Sequence, residues 1–138
     1  MLSVSQVPSV GANEKLSRFV LSSRHFRKDN ETVKADAFVP HPYEELSVNR
    51  DLEATDDETW AIGRTVADGL CKTLYGRGDV IAATYHSQNL KTIEAPVLGN
   101  PNHVNVIGWI KDDKPSQKLI AQEIAAVAKF VKPPIVDG

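Results

Sequence analysis

Residues 103–131 read HVNVIGWIKDDKPSQKLIAQEIAAVAKFV, a strand-like run followed by the most periodic helix-like run in the chain. Over residues 103–110, apolar side chains occupy both faces, which is typical of a nearly buried strand. The second run follows Asp113 and has Pro115 at its start, so we predict an amphipathic helix that ends before the prolines at 133–134. Its apolar stripe comprises Ile120, Ile124, Val127, Ala128 and Val131. The segment therefore predicts a helix packed on a sheet.

Three segments upstream show the alternation of apolar and polar side chains that strands require. They are residues 16–23, 32–39 and 45–50. A polar turn at residues 27–31 separates the first two, and we expect these two strands to pair as a hairpin.

The middle of the chain predicts two helices. Thr55 and Glu58 have the spacing of a capping box and mark the start of the first helix. The Gly-Arg-Gly at residues 76–78 indicates a turn. A short helix over residues 79–86 and a strand over residues 90–93 are expected to follow.

Length and composition fit one globular domain, because 138 residues with 41% hydrophobic side chains can bury a single core. We expect residues 15–132 to form a single α+β domain. It should contain a mainly antiparallel sheet of about five strands, two main helices and one short helix. A flexible N-terminal lead-in is predicted for residues 1–14, and a C-terminal tail for residues 133–138.

The formal net charge of −2 lacks the basic excess of a dedicated nucleic-acid-binding protein, although a local basic face is still possible. Lysines cluster around the predicted last helix, where acidic residues interrupt them, so a solvated surface is expected there. They are Lys111, Lys114, Lys118, Lys129 and Lys132.

Cys71 is the single cysteine, so no intrachain disulfide can form. Neither a signal-peptide pattern nor an apolar run of membrane-spanning length occurs, and we expect a cytoplasmic protein without a membrane partner. The histidines, which are His25, His41, His86 and His103, show no metal-ligand spacing. Glycine-rich phosphate loops are absent as well. No metal and no cofactor are therefore predicted.

Several polar residues lie on predicted strands or at their ends: Arg18, His25, Ser47, Arg50, Arg77, Asp79, His103 and Asn105. Arginine binds phosphate or carboxylate through two hydrogen bonds, and histidine exchanges a proton near neutral pH. We therefore take Arg18, Arg50, Arg77 and Asn105 as ligand-binding candidates, and His25 and His103 as catalytic candidates. The alternative is that these residues are solvated, paired with acids or engaged in capping.

Seven short blocks of sequence, taken in order, give the chain a resemblance to other proteins. They are Arg18-Phe19, His25-Phe26, Ala37-Phe38-Val39-Pro40, Leu46-Ser47-Val48-Asn49-Arg50, Trp60-Ala61-Ile62-Gly63, Gly76-Arg77-Gly78-Asp79 and His103-Val104-Asn105-Val106-Ile107-Gly108-Trp109. Together they resemble a loosely defined set of small bacterial hypothetical proteins, over roughly residues 16 to 126. The resemblance implies no activity, substrate or catalytic residue.

Two functional hypotheses follow, from different classes. The first is a small binding or accessory protein that acts through a protein or nucleic-acid partner. The second is an enzyme of nucleotide or RNA phosphoester chemistry, with His25 or His103 as acid/base and the arginines holding phosphate. Convergence of these side chains in one concave site would favour the enzyme. A structural subunit would instead show a contiguous exposed apolar patch.

Overall fold

A computed structural model describes residues 7–40 and 44–135 of the protein. The chain forms an α+β domain with a six-stranded antiparallel sheet, a separate two-stranded sheet and three α-helices. The strands are β1 Lys15–Val20, β2 Phe26–Arg27, β3 Thr32–Val33, β4 Leu46–Arg50, β5 Gly76–Ile81, β6 Lys91–Glu94, β7 His103–Ile107 and β8 Lys129–Val131. The helices are α1 Asp56–Gly69, α2 Ala82–Ser87 and α3 Lys114–Val127, and two 3₁₀ helices span Ser23–His25 and Ala35–Phe38.

The large sheet has the order β6-β7-β4-β1-β5-β8. Alternate side chains of its strands form the main core on one face, and Leu16, Val48, Val80 and Val104 are all buried there. Helix α3 and the 3₁₀ helix Ala35–Phe38 cover this face. Helix α1 lies on the opposite face. The prediction of a mainly antiparallel α+β domain with two main helices and a short one is confirmed.

Local sequence signals set the start of both main helices. Thr55 and Glu58 form the predicted capping box of α1, each side chain accepting from the other residue's backbone N–H. Asp113 caps α3 by accepting a hydrogen bond from the backbone N–H of Ser116, and a proline occupies the first turn of the helix. Among the described residues, no helix is long and apolar enough to cross a membrane.

The predicted strand over residues 32–39 is wrong beyond Val33. β1 already pairs with β4 on one side and with β5 on the other, so it has no free edge for a hairpin partner. β3 pairs instead with β2, and the ring of Phe26 stacks on Phe130 with ring centroids 5.1 Å apart. The chain then forms the 3₁₀ helix Ala35–Phe38, which buries Phe38 in the core.

The turn predicted at residues 76–78 is also wrong, because these residues begin β5. The glycines serve close packing. A Cβ on Gly76 would lie 2.6 Å from the carbonyl oxygen of Val131, and a Cβ on Gly78 would lie 3.1 Å from Phe38 Cζ. The short helix α2 consequently starts at Ala82 rather than at Asp79.

The last helix is shorter than its apolar periodicity predicts. It ends at Val127, which is 64% exposed, and Ala128 has an extended backbone. Residues Lys129–Val131 form β8, which pairs with the outer edge of β5. Phe130 and Val131 favour extended structure, and pairing satisfies a strand edge that a longer helix would leave open.

Candidate functional site

Strands β1 and β4 separate shortly after they meet, and this separation creates the candidate site. They pair only at Leu16 with Arg50 and at Ser17 with Asn49. Beyond this point, the guanidinium of Arg18 bridges the gap: Nε donates to the carbonyl oxygen of Ala37 at 2.8 Å and Nη1 donates to that of Ser47 at 2.9 Å. Arg18 therefore replaces missing strand pairing and is held at a defined position.

His25 and Lys72 reach the same place from other segments. Ser22 caps the 3₁₀ helix Ser23–His25 by accepting from the backbone N–H of Arg24, which sets the position of His25. After α1, Cys71 adopts a φ of +55°, and the backbone N–H of Lys72 donates to the carbonyl oxygen of Ala67 at 2.8 Å. This closing turn resembles other left-handed helix ends and returns the chain toward the sheet.

Arg18, His25 and Lys72, which we call the cationic cluster, line two cavities at once. The first cavity, of about 370 Å³, lies between the end of α1 and β4, and its polar lining also includes Ser22, Ser47, Asn49, Asn100 and His103. The second cavity, of about 560 Å³, is also lined by Asp36, Val39, Pro40, Lys114, Gln117 and Lys118. The cluster therefore stands at the junction of the two.

Positive charge exceeds negative charge around this junction. Burial lowers the pKa of His25, and the neighbouring cations Arg18, Lys72 and Lys34 lower it further against the opposing effect of Asp36. A hydrogen bond from Lys118 lowers the pKa of Asp36, so that carboxylate is already paired. Burial also lowers the pKa of Arg18, but a guanidinium keeps its charge at neutral pH. The junction is thus suited to an anion.

A third cavity, of about 500 Å³, continues the first along α1. The two share Val66, Asn100 and His103. The remaining lining of the third cavity is mostly apolar and comprises Glu58, Ala61, Ile62, Thr65, Val97, Leu98 and Gly99. We call the first and third cavities together the α1 groove.

Arg50, a predicted ligand-binding residue, is placed away from the α1 groove. It is 1% exposed and forms a bidentate pair with Glu14, with Nε to Oε1 at 2.8 Å and Nη2 to Oε2 at 2.6 Å. Its Nη1 and Nη2 also donate to the carbonyl oxygens of Pro8 and Ser9. Arg50 therefore ties part of the N-terminal lead-in to the domain; the flexibility of the whole lead-in stays a prediction.

Arg77 likewise lies outside the α1 groove, beneath the N-terminal end of α1. It is 4% exposed, its Nε lies 3.1 Å from Asp79 Oδ1, and its guanidinium carbon lies 4.8 Å from the centroid of the Trp60 ring. Its Nη1 lies 2.9 Å from Asp56 Oδ1, an ion pair without hydrogen-bond alignment. Ser17 Oγ donates to Asp79 at 2.7 Å. The carboxylates of Asp56 and Asp79 therefore compensate the charge of Arg77 within the protein.

The other candidates divide between the groove and its surroundings. His103 lines the α1 groove, and its Nδ1 is 2.9 Å from the carbonyl oxygen of Ala95. Asn105 lies opposite Ser47 in the β4–β7 ladder but does not line the groove. His86 pairs with Thr92 at 2.8 Å, and His41 lies outside the described residues.

The structure thus brings Arg18, His25, Ser47 and His103 together, and separates Arg50 and Arg77 from them. Sequence analysis did not single out Lys72, Asn49 or Asn100. Asn49 follows the apolar Val48 in β4, and a polar residue at this strand position was the available signal. Lys72 and Asn100 lie in turns, whose tertiary placement local patterns do not specify.

Over residues 7–40 and 44–135, no group of three or more His, Cys, Asp or Glu side chains is arranged to hold a metal ion. Cys71 is a free, exposed thiol.

Comparison with known proteins leaves the chain without a relative to argue from. No family model matches it, and neither the curated proteins nor the solved structures contain a match. The function must therefore be argued from the site itself.

Proposed function

We propose that the protein binds a phosphate ester, with the phosphate group at the cationic cluster of Arg18, His25 and Lys72. The observation that carries this proposal is convergence. Three side chains able to carry positive charge come from separate segments to the junction of two cavities, in a chain with a net charge of −2. Cavities of roughly 300–1,000 Å³ are the usual size for small-molecule sites, which favours a small ligand over a large partner surface.

Arg18 would be the anchoring residue. Two of its nitrogens are fixed by the backbone carbonyls of Ala37 and Ser47, and its Nη2 makes no hydrogen bond to the described part of the chain. A guanidinium held in place in this way loses little conformational freedom when it binds an anion. Its remaining donors suit the oxygens of a phosphate, with which arginine forms short, charge-assisted hydrogen bonds.

Lys72 and His25 would supply further charge in different ways. Lys72 is exposed and acts as a mobile point charge, which strengthens anion binding with little effect on the fold. Burial and the neighbouring cations lower the pKa of His25, which favours the neutral imidazole in the free protein. An arriving anion favours the protonated imidazole, so we expect binding to be coupled to proton uptake at His25.

Titration of the folded protein with inorganic phosphate at low ionic strength tests this proposal, with binding followed by calorimetry and by the imidazole NMR signals of His25. Saturable binding that Lys72→Gln weakens about fivefold, roughly 1 kcal/mol, would support it. Lys111→Gln is the matched control, because Lys111 is exposed and lines none of the three cavities. Absence of saturable binding, or equal weakening by both variants, would overturn it.

Catalysis at the same site is a second candidate, which one observation favours. A histidine whose pKa is lowered by burial and that lies beside an arginine has the properties of a general base next to an anion-binding group. Incubation of the protein with a phosphomonoester and a phosphodiester, with product release measured for wild type and His25→Gln, tests it. Turnover lost in the variant supports catalysis, and equal background rates mean that the site only binds.

A further inference from the structure

The α1 groove changes in chemical character along its length. The first cavity holds the cationic cluster, together with apolar side chains that include Phe19, Leu21 and Leu70. The amide and imidazole groups lie where it meets the third cavity, which ends in an apolar wall. A bare phosphate would occupy only the first zone, because the two connected cavities measure about 370 and 500 Å³. The remaining length indicates a ligand whose organic part is polar near the phosphate and apolar farther away.

The middle zone offers both donors and acceptors. Asn49 and Asn100 form a reciprocal amide pair, with Asn49 Nδ2 to Asn100 Oδ1 at 3.3 Å and Asn100 Nδ2 to Asn49 Oδ1 at 3.0 Å. Each amide retains one N–H after this pairing. His103 Nδ1 faces the carbonyl oxygen of Ala95, which requires a proton on Nδ1 and leaves Nε2 as an acceptor when the ring is neutral. The zone therefore matches hydroxyl groups and ring heteroatoms.

The far zone is apolar and open. A turn at residues 97–100, closed by hydrogen bonds between Val97 and Asn100, presents Val97 and Leu98 opposite Ile62 of α1. Leu98 is 99% exposed and Val97 is 48% exposed. Glu58 is the carboxylate in this wall, and it is occupied with the capping of α1. Exposed apolar side chains beside a polar groove are expected to contact the least polar part of a ligand.

We propose that the α1 groove takes a nucleotide, with the phosphate at the cationic cluster, the sugar hydroxyls at Asn49, Asn100 and His103, and the base against Val97, Leu98 and Ile62. The order of the three zones is the order of phosphate, sugar and base in a nucleoside 5′-monophosphate. This inference rests on the proposed phosphate-ester binding and specifies its ligand class.

Other phosphate esters match the groove less well. A phosphorylated alkyl chain would place methylene groups against the middle zone, which would leave the remaining N–H of each amide and Nε2 of His103 without partners. A sugar phosphate would satisfy the middle zone but would leave the apolar wall exposed to water.

The experiment compares the wild-type affinities of inorganic phosphate, ribose 5-phosphate, adenosine 5′-monophosphate, uridine 5′-monophosphate and hexyl phosphate under identical salt. At least one nucleotide should bind about tenfold more tightly than ribose 5-phosphate, because burial of the base adds roughly 1.4 kcal/mol. Ribose 5-phosphate should in turn bind more tightly than inorganic phosphate. Equal affinity for the nucleotides and ribose 5-phosphate would overturn the assignment, and so would tightest binding of hexyl phosphate.

Variants separate the zones. Leu98→Ser should weaken nucleotide binding about threefold and leave ribose 5-phosphate binding unchanged, since the lost contact is apolar. Leu119→Ser, on α3, is the matched control, because Leu119 is 63% exposed and lies outside the groove. Equal effects of the two variants on nucleotide binding would contradict the inference. If inorganic phosphate binds and the nucleotide shows no gain, this inference fails alone; if none of the phosphates binds, the proposed function fails with it.

Discussion

The two ends of helix α1 lie over two groups of charged side chains, which differ in their ratio of positive to negative charge. At the N-terminal end, Arg77 is buried between Asp56, Asp79 and the ring of Trp60. At the C-terminal end, the cationic cluster of Arg18, His25 and Lys72 faces two cavities. Among the described residues, Asp36 supplies the one carboxylate that lines these cavities, and it is already paired with Lys118.

This difference shows why residue type alone does not identify a binding site. A buried arginine with two carboxylates has its charge compensated and gains nothing from an external anion. At the cationic cluster, Arg18 and Lys72 carry positive charge that no lining carboxylate of the described chain compensates, since Asp36 is paired with Lys118. The same reasoning assigns Arg50 to the first class, because Glu14 and two backbone carbonyls satisfy it.

The largest effect is expected from breaking the compensated end. Arg77→Leu should destabilise the fold by about 3 kcal/mol, because the largely buried Asp79 carboxylate loses its nearer cation and keeps Lys15 at 4.0 Å. Urea unfolding measures this change. Adding Asp79→Asn to the variant should recover part of the loss by removing the poorly compensated charge. A single variant within about 0.5 kcal/mol of wild type would contradict this account of Arg77.

A smaller loss is expected at the other compensated arginine. Arg50→Leu should lower the free energy of unfolding by about 2 kcal/mol. This loss is smaller than that of Arg77→Leu because Glu14 lies closer to solvent than Asp79 does. Hydrogen exchange in residues 8–14 should also accelerate.

Burial opposes ionisation of Glu14, but hydrogen bonds from Arg50 and Gly11 lower its pKa overall from 4.5. Its contribution is therefore present above pH 4.5 and lost as pH falls below that value. Glu14→Gln should remove this acid-dependent loss, and an unchanged pH profile in that variant would count against the tie.

The uncompensated end should respond to pH through ligand affinity. The groups facing His25 are Arg18, Lys34, Asp36 and Lys72, and burial together with the cations lowers the pKa of His25 below 6.5. In the free protein, the contribution of neutral His25 to stability is therefore fully present above pH 6.5 and is lost as pH falls through the folded-state pKa. A bound anion has the opposite effect on His25, because it favours the protonated imidazole.

Sulfate serves as the probe for this effect, because its charge is constant between about pH 5 and 8, where histidine titrates. Its affinity should increase about three- to tenfold as pH falls across this range, since protonated His25 adds an attractive charge. His25→Gln should flatten the profile. A profile that is equally steep in wild type and variant would assign the dependence to another group.

The smallest effect is expected from removing a negative charge beside the cationic cluster, which should strengthen anion binding. Asp36→Asn removes the carboxylate beside the cationic cluster and releases Lys118. We expect phosphate affinity to increase about twofold, with stability unchanged within about 0.5 kcal/mol, because the Asp36–Lys118 pair is exposed. Weaker phosphate binding would mean that Asp36 helps to position the site.

Much of the fold followed from local patterns. The capping box of Thr55 and Glu58, the apolar–polar alternation at the start of β4 and the cap of α3 at Asp113 each depend on residues a few positions apart. Such interactions form within one element, so their spacing in sequence is already their spacing in space. The class of domain and the positions of the two main helices could therefore be predicted. In β7, by contrast, only alternate residues are buried, although the sequence predicted a nearly buried strand.

The errors arose where distant segments decide the outcome. Residues 76–78 form a strand because β1 and β8 pair with them, and their glycines allow the close approach of Val131 and Phe38. Residues 129–131 leave the helical pattern because β5 offers an open edge. None of these neighbours is visible in the local sequence.

Which of the three arginines is free to bind an anion was also decided by distant segments. Local sequence supplied Arg18, Arg50 and Arg77 as chemically equivalent candidates, since each can bind an anion. Folding placed Glu14 beside Arg50 and brought His25 and Lys72 to Arg18, whereas Asp79, the nearest partner of Arg77, is only two residues away along β5. Electrostatic interactions act over a few ångströms through space and are indifferent to distance along the chain, so the tertiary structure alone decided which charge was left uncompensated.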